Sequence, residues 1–491
     1  MVPAKRIALI ASILGSGIVF LDGTIVNVAL PAIRDDLHGG LAAQQWVVEA
    51  YLLTLSSLLL IGARAAQGIF GALLVPSTLA LIMDRFPENE RPAAIGSWTA
   101  WTGIATVVGP LGGGALVQLV SWRLIFAINL APVAVTLWLL SLLEGDRREP
   151  GHVDFVGALL CALGLGGPVF ALIEQPAYGW GNVRVAVPLI AGVVLFATFI
   201  LWERRSPEPM MPLKLFGSRN FAVGNLTTLT LYAGLGVATF FLVVFIQQVG
   251  GYTPIAAGLA LLPITVVMFF LSRRFAALAD RIGPHWFMGF GPLVAGAGLL
   301  LLVRTNASAD YVSQVLPGVL VFGLGLAATV APLTATVLGA VEPGHSGVAS
   351  GVNNAVARVA GLLAIAALGA VVASTFSNRL DHNLAGKHLS PQATRVVDSD
   401  RTRALVTTVH GVPASEHAEV HDALVNASVY AFRIGLGISA GLAVLGGLVA
   451  LIGIENPRRR VPCADCPGGA LQGGNIDVVR VPQKIPATAR S

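Results

Sequence analysis

Charge is scarce in this chain. Only 12% of its 491 residues are Asp, Glu, Lys or Arg, about half the share in an ordinary soluble domain, so a water-soluble catalytic domain is excluded. Cysteine is scarce as well: Cys161 lies in an apolar run, and Cys463 and Cys466 form a lone CxxC in the C-terminal tail. A metal site needs more ligands than that pair supplies, and no thioredoxin-like pattern surrounds it. A Gly-rich phosphate loop ending in Lys-Ser or Lys-Thr is missing, which argues against ATP chemistry. His417 and His421 share one face of any helix, but Ala418 stands where the zinc-protease pattern needs Glu, which leaves a solvated helix face. No cofactor and no metal is expected.

What the chain has instead is apolar length. Hydrophobic residues make up 55% of it and the mean hydropathy is +0.76. Runs near twenty residues, each able to cross a bilayer core of about 30 Å, recur along nearly all of it. They lie roughly at Ile7 to Leu30, Trp46 to Gly62, Arg64 to Met83, Ala94 to Gln118, Leu124 to Leu143, Phe155 to Ile173 and Val185 to Trp202. Six more follow: Phe221 to Ile246, Ile255 to Leu271, Phe287 to Val303, Val312 to Leu333, Asn353 to Phe376 and Tyr430 to Ile454. The pattern predicts an all-α polytopic membrane protein with the lipid bilayer as its partner. The first run is too long for a signal peptide's core, contains Asp22 and has no clear cleavage site after it, so it should remain as a span.

The net charge of +5 sits largely in short connections: Lys5 and Arg6, Arg147 and Arg148, Arg204 and Arg205 with Lys214 and Arg219, Arg273 and Arg274 with Arg281, and Arg458 to Arg460. That is the positive-inside distribution of membrane insertion, not a nucleic-acid patch, and no nucleic-acid partner is expected. Ser377 to Ser428 reads as a long polar loop, and residues 455–491 as a disordered cytoplasmic tail.

One stretch stands out, Gly96 to Gly114. Gly96, Ala105, Gly109, Gly113 and Gly114 remove bulk along neighbouring faces, so another helix backbone can come close. Pro110 interrupts the local hydrogen-bond ladder, which is tolerated at membrane depth only against protein or a water-filled cavity. The helix is therefore expected to line a pathway and not to face lipid. The spacing of Gly96, Ala105, Gly109-Pro110 and Gly113-Gly114 resembles the antiporter motif of the major facilitator superfamily, with Ala105 replacing a glycine. That motif belongs to exporters, so the resemblance implies efflux.

An ionisable residue inside a span is a functional candidate by default. Asp22, beside Asn27 in LDGTIVNVALP, is the leading one, because low dielectric favours its proton-holding form. The stretch resembles the signature of the fourteen-span drug:H+ antiporter branch, of the EmrB/QacA type, whose acid is linked to coupling. Arg64 with Gln67 resembles the fourth span of that branch, whose arginine takes part in proton transfer. Asp280, Arg281 and Gly283 resemble a loop clamp that joins adjacent helix ends through a charge-assisted bond and a tight turn. Gln247 and Gln248 fall in another matching stretch and, with Asn27, Gln67, Trp98 and Trp101, are candidates for the cavity. Gly347 to Gly361 continues the match.

The resemblance departs at one place. The basic loop after the second span and the third span are absent, since Leu60-Ile61-Gly62 runs straight into Ala63-Arg64. Charge parity then predicts one net crossing between the loop at Arg34 to Gln45 and Arg85, with Arg64 to Met83 as the true span and 46–62 along the outer surface or re-entrant. The organisation implied is an incomplete amino-terminal bundle (1–143), two linker spans (144–220), a carboxy-terminal bundle (221–454) containing the loop 377–428, and the tail. By resemblance the chain is a plasma-membrane secondary transporter, not an enzyme, that moves small hydrophobic or amphipathic molecules outward in exchange for protons. The alternative is a truncated relative that folds without transporting, or a membrane assembly partner.

Overall fold

The computed structural model describes residues 3–37, 45, 81–82, 85–86, 91–143, 154–207, 209, 211–341, 346–387, 389–401, 405, 407 and 411–456. Among them there is no strand. The helices are α1 (Pro3–Leu37), α2 (Arg91–Leu119), the short α3 (Leu124–Ala127), α4 (Leu130–Ser141), α5 (Phe155–Tyr178), α6 (Val183–Arg205), α7 (Arg219–Gln248), α8 (Pro254–Ile282), α9 (Pro284–Leu302), α10 (Leu316–Gly339), α11 (Ser346–Leu384), α12 (Pro391–Asp400) and α13 (His417–Gly453). Eight spans among the described residues are long and apolar enough to cross a membrane.

Helices α1, α2 and α4 pack together as one group, and α7 to α11 with α13 as another. Helices α5 and α6 form a hairpin that leans on the second group through α5 and α11, where Val169 and Ile173 meet Leu362 and Ala366. Lipid is as apolar as Leu, so the helices hold together by close packing. In the second group α9 crosses α10 so closely that a Cβ on Gly298 would lie 2.7 Å from the Phe322 Cα. Phe245 of α7 stacks on Phe432 of α13 at 3.9 Å between centroids, a pair worth about 0.5–1.5 kcal/mol beyond its buried area.

Direction follows from contacts. Gln247 near the end of α7 reaches Val28 near the end of α1, so the two run parallel and begin at the same end. Arg204 and Arg205 close α6, Lys214 and Arg219 follow, and Arg274 and Arg281 close the antiparallel α8, so the basic clusters gather at the Lys5 end. Phe86 stands there too, with the Lys5 ammonium 5.9 Å from its ring, whereas Gln45 is held at the far end by α11. Gln45 and Phe86 thus lie at opposite ends of the helices. Residues 46–80 themselves, and with them the path expected for 46–62, lie outside the described residues, as does the tail from 457.

Two expectations are corrected. The span expected over Leu124 to Leu143 divides at Ile128 and Asn129. Pro132 has no N–H to offer the Ile128 carbonyl, and both residues keep right-handed helical angles, so the helix is dented and not turned. Residues 377–428 are not a simple polar loop: α11 runs on to Leu384, α12 forms within the stretch, and α13 begins at His417. Ser390 caps α12 by accepting from the Ala393 N–H. Ala393 and Val397, one turn apart, bury with Leu380, Leu405, Val420 and Leu424, an amphipathic pattern within a polar composition. His421 faces the Thr407 carbonyl, 2.9 Å from its Nδ1, and Glu419 pairs with Lys387 at 3.0 Å.

Candidate functional site

The glycine-rich helix is where the two groups meet. A Cβ at Gly113 would run into the Ile25 side chain of α1, and one at Gly114 would lie 2.8 Å from both the Ile255 Cα and the Pro254 carbonyl of α8. Gly113 therefore fits α2 to its own group, whereas Gly114 fits it to the other. Ala105 stands opposite Gly17 of α1, where an added Cβ would be 3.6 Å away, so a glycine on the facing helix accommodates the missing one. Gly109 is buried. Gly96 and Pro110 lie within α2, which runs on unbroken through Pro110, so the single lost hydrogen bond does not end the helix. One face of α2 remains open, with Trp101 58% and Val108 45% exposed, so the helix is not enclosed by protein on every side.

The remaining contacts between the groups also gather at the far end. Gln247 Nε2 donates to the Val28 carbonyl at 3.3 Å, and Gln45 Nε2 donates to the Ile365 carbonyl of α11 at 2.8 Å. Around them a single apolar cluster takes in Ile25, Ala29, Ile33, Trp122 and Ile125 from the first group and Phe241, Phe245, Ala257 and Leu368 from the second. At the Lys5 end the packing is separate: Leu9, Ile82, Phe86 and Trp98 form one cluster, and Phe221, Met288, Val337, Val352 and Ile454 another. Among the described residues, then, the groups are fastened to each other at the far end and packed only within themselves at the Lys5 end.

Several predicted cavity residues turn out to be fasteners. Trp98 donates its indole N–H to Ser16 of α1 at 3.0 Å, joining two helices of one group. Gln247 joins the groups, and the Gln248 carbonyl accepts from the Thr407 hydroxyl at 2.8 Å, both at the far end. Trp101 is exposed. Asp22 and Asn27 lie in the second half of α1, with side chains outside the described residues; Arg64 and Gln67 lie outside them altogether. Gly283 joins α8 to α9 at φ 111°, which a side chain would resist, with Pro284 opening α9. Arg281 is exposed at the last turn of α8, and the Asp280 side chain is outside the described part.

A polar group missed in the sequence stands on α7 and α11. The Thr228 hydroxyl donates to Asn353 Oδ1 at 2.8 Å, and Tyr232, one turn further along α7, lies in the electrostatic field of Arg358. Gly236 brings the two helices together, since a Cβ there would be 3.1 Å from the Gly361 Cα. Arg358 is exposed although it lies within an apolar span. Arg358 is the one charge in the run Asn353 to Phe376, set among small residues.

The sequence profile of the Major Facilitator Superfamily matches residues 50–365. The chain is 33% identical over 464 residues to the multidrug resistance protein Stp of Mycobacterium tuberculosis, covering 85% of this chain and 86% of that protein. It is 32% identical to the tetracenomycin C resistance and export protein of Streptomyces glaucescens, covering 90% and 89%, and 31% identical to the puromycin resistance protein pur8 of Streptomyces alboniger, covering 95% and 94%. Its fold is similar to that of a bacterial homologue of the human lysosomal transporter Spinster, with TM-score 0.58 at 16% identity over 93% of this chain and 100% of that one. Two helical groups meeting through glycine-rich faces, built from membrane-length helices and matched by profile and relatives alike, have one conclusion: the chain is a multi-pass membrane protein of the major facilitator superfamily, a family of transporters.

Proposed function

We propose that this protein exports hydrophobic or amphipathic compounds, antibiotics among them, outward across the plasma membrane in exchange for protons, as a member of its family's fourteen-span branch that lacks the third span. The observation that carries the reading is the match, at about a third identity over nearly full length, to proteins named for drug resistance and export. The geometry supports it. Basic clusters put the Lys5 end in the cytoplasm, and export requires the far-end contacts of Gly114 and Gln247 to part. Asp22, an acid within the first span, carries the coupled proton, and Arg64 tunes it. Asp280, Arg281 and Gly283 clamp the inner turn between α8 and α9. The working units are 1–143, 144–220 and 221–454.

Expression in cells stripped of their own exporters tests this reading. Puromycin accumulation should fall several-fold and rise again when an uncoupler collapses the proton gradient. Accumulation that ignores both expression and uncoupler would defeat the proposal. One observation favours a second reading, a relative that folds without transporting. The match to the puromycin resistance protein runs over 518 aligned positions, more than the 491 residues of this chain, so gaps must open within it. That agrees with a missing piece of the amino-terminal bundle, and the same accumulation assay separates the two.

A further inference from the structure

The inner end of the α5–α6 hairpin holds two acids side by side. Asp154 caps α5, its Oδ1 accepting from the Gly157 N–H at 2.8 Å, and Trp202 near the end of α6 donates its indole N–H to Asp154 Oδ2 at 2.9 Å. Glu203, just beyond the apolar run that ends at Trp202, is 3% exposed. Its Oε2 accepts from the Met211 N–H at 2.8 Å, whereas its Oε1 is buried without a hydrogen-bond partner. A Cβ on Gly157 would lie 3.0 Å from that Oε1 and would collide with Asp154 Oδ2. The two oxygens therefore border one small space, which exists because residue 157 has no side chain.

Both Asp154 oxygens are served by donors, and one Glu203 oxygen is not. A buried carboxylate oxygen with no donor, set against a second carboxylate, is costly. A proton on Oε1 removes the charge and supplies a donor directed at the space that Asp154 Oδ2 borders. The cations of this end stand apart from it: Arg204 and Arg205 are exposed at the last turn of α6, and Lys214 is exposed in the turn Leu213–Gly217. Cys161, one turn beyond Gly157 on α5, is the other titratable group among the described residues in the field of Glu203. A hard cation would need about six oxygens, and among the described residues no three His, Cys, Asp or Glu side chains stand together to hold a metal. Met211 packs on the inner cluster of Phe221, Met288 and Val337, so Glu203 also ties the hairpin to the second group.

We propose that Asp154 and Glu203 form a proton-binding pair at the cytoplasmic end, separate from Asp22, in which Glu203 Oε1 carries a proton exchanged with cytoplasmic water. Taking up the proton forms the O–H bond and neutralises Glu203; giving it back restores two adjoining negative charges and loosens the tie to Met211. The site does not depend on the export reading. Infrared difference spectra of the purified protein test it, with Asp22→Asn as the background so that the acid of the first span does not contribute. At about pH 6 a glutamate in water is ionised, since it titrates near pH ~4.3, yet this protein should show the carbonyl stretch of a protonated carboxyl. Glu203→Gln should lose that band, and Asp154→Asn, which removes the neighbouring charge, should weaken proton affinity about tenfold or more, so that the band vanishes at a lower pH. Thermal unfolding checks the fold of each variant; Glu203→Gln keeps the acceptor for Met211 and should unfold close to the parent. A band unchanged in Glu203→Gln, or its absence from the parent at this pH, overturns the pair as a proton site. A rise in Tm with magnesium or calcium that Glu203→Gln abolishes, in protein without the band, makes it a cation site instead and overturns the proposal as well.

Discussion

Replacing Gly114 by alanine should loosen the far-end closure without loosening the fold. The added Cβ would sit 2.8 Å from the Ile255 Cα and the Pro254 carbonyl, whereas carbon atoms rest at about 3.5–4.0 Å. Helices α2 and α8 must therefore move apart by about 1 Å, because the obstructing atoms are backbone and have no rotamer to change. Overpacking of this kind costs about 1–3 kcal/mol. The contact joins the two groups, so the cost falls only on the state in which their far ends touch and shifts the balance toward the state open at that end by about 5- to 150-fold. Gly113→Ala makes the control, because its clash is with Ile25 inside the first group and burdens both states alike. Spin labels at Val120→Cys and Ser308→Cys, in protein whose native cysteines are replaced by serine, report the far-end distance. Gly114→Ala should broaden and lengthen it with little change in Tm, whereas Gly113→Ala should lower Tm and leave the distance alone. The same Tm loss in both variants with no change in distance would refute the reasoning.

Gln247→Ala removes one donor between the groups and should shift the same distance in the same direction by less, since a hydrogen bond contributes about 0.5–1.5 kcal/mol. Glu203 accepts from the Met211 N–H at 2.8 Å at the inner end of α6; Glu203→Ala leaves that donor unpaired and should cost about 1–3 kcal/mol of stability, most of it recovered by Glu203→Gln in a denaturation series. Tyr252, in the connection between α7 and α8, donates to the Ala309 carbonyl at 2.7 Å; burial and then the Asp310 charge hold its phenol above the usual tyrosine range. The folded state thus keeps a proton that the unfolded state gives up near pH 10, so this stabilisation is complete below pH 10 and is lost as pH rises through the folded value. Tyr252→Phe should flatten that alkaline decline, as read by Tm against pH.

Composition and periodicity were enough for the architecture, because a bilayer demands long apolar helices and little else satisfies it. The packing role of Gly113 and Gly114 was legible for a similar reason: closely approaching helices need missing side chains, and a glycine pattern announces them. The polar residues were harder. Gln247 and Trp98 were read as cavity residues because amides and indoles in apolar spans serve both cavities and helix contacts, and only the positions of Val28 and Ser16 decide between the two. Helix α12 went unseen because a polar composition concealed the Ala393–Val397 spacing, and Arg358 because one charge amid small residues carries no spacing signal. The dent at Asn129 follows from Pro132, which was visible but set within an otherwise continuous apolar run.

Cargo and protons are proposed to move in opposite directions through this chain, with Asp22 as the proton carrier. In everted membrane vesicles holding a proton gradient, reported by quenching of an acridine dye, addition of puromycin should release protons and restore fluorescence in proportion to the amount of protein. Asp22→Asn, present at the same level in the membrane, should abolish the response, because the amide keeps the size of the acid but cannot titrate. Full dequenching in Asp22→Asn, or none in the wild type, would contradict the account.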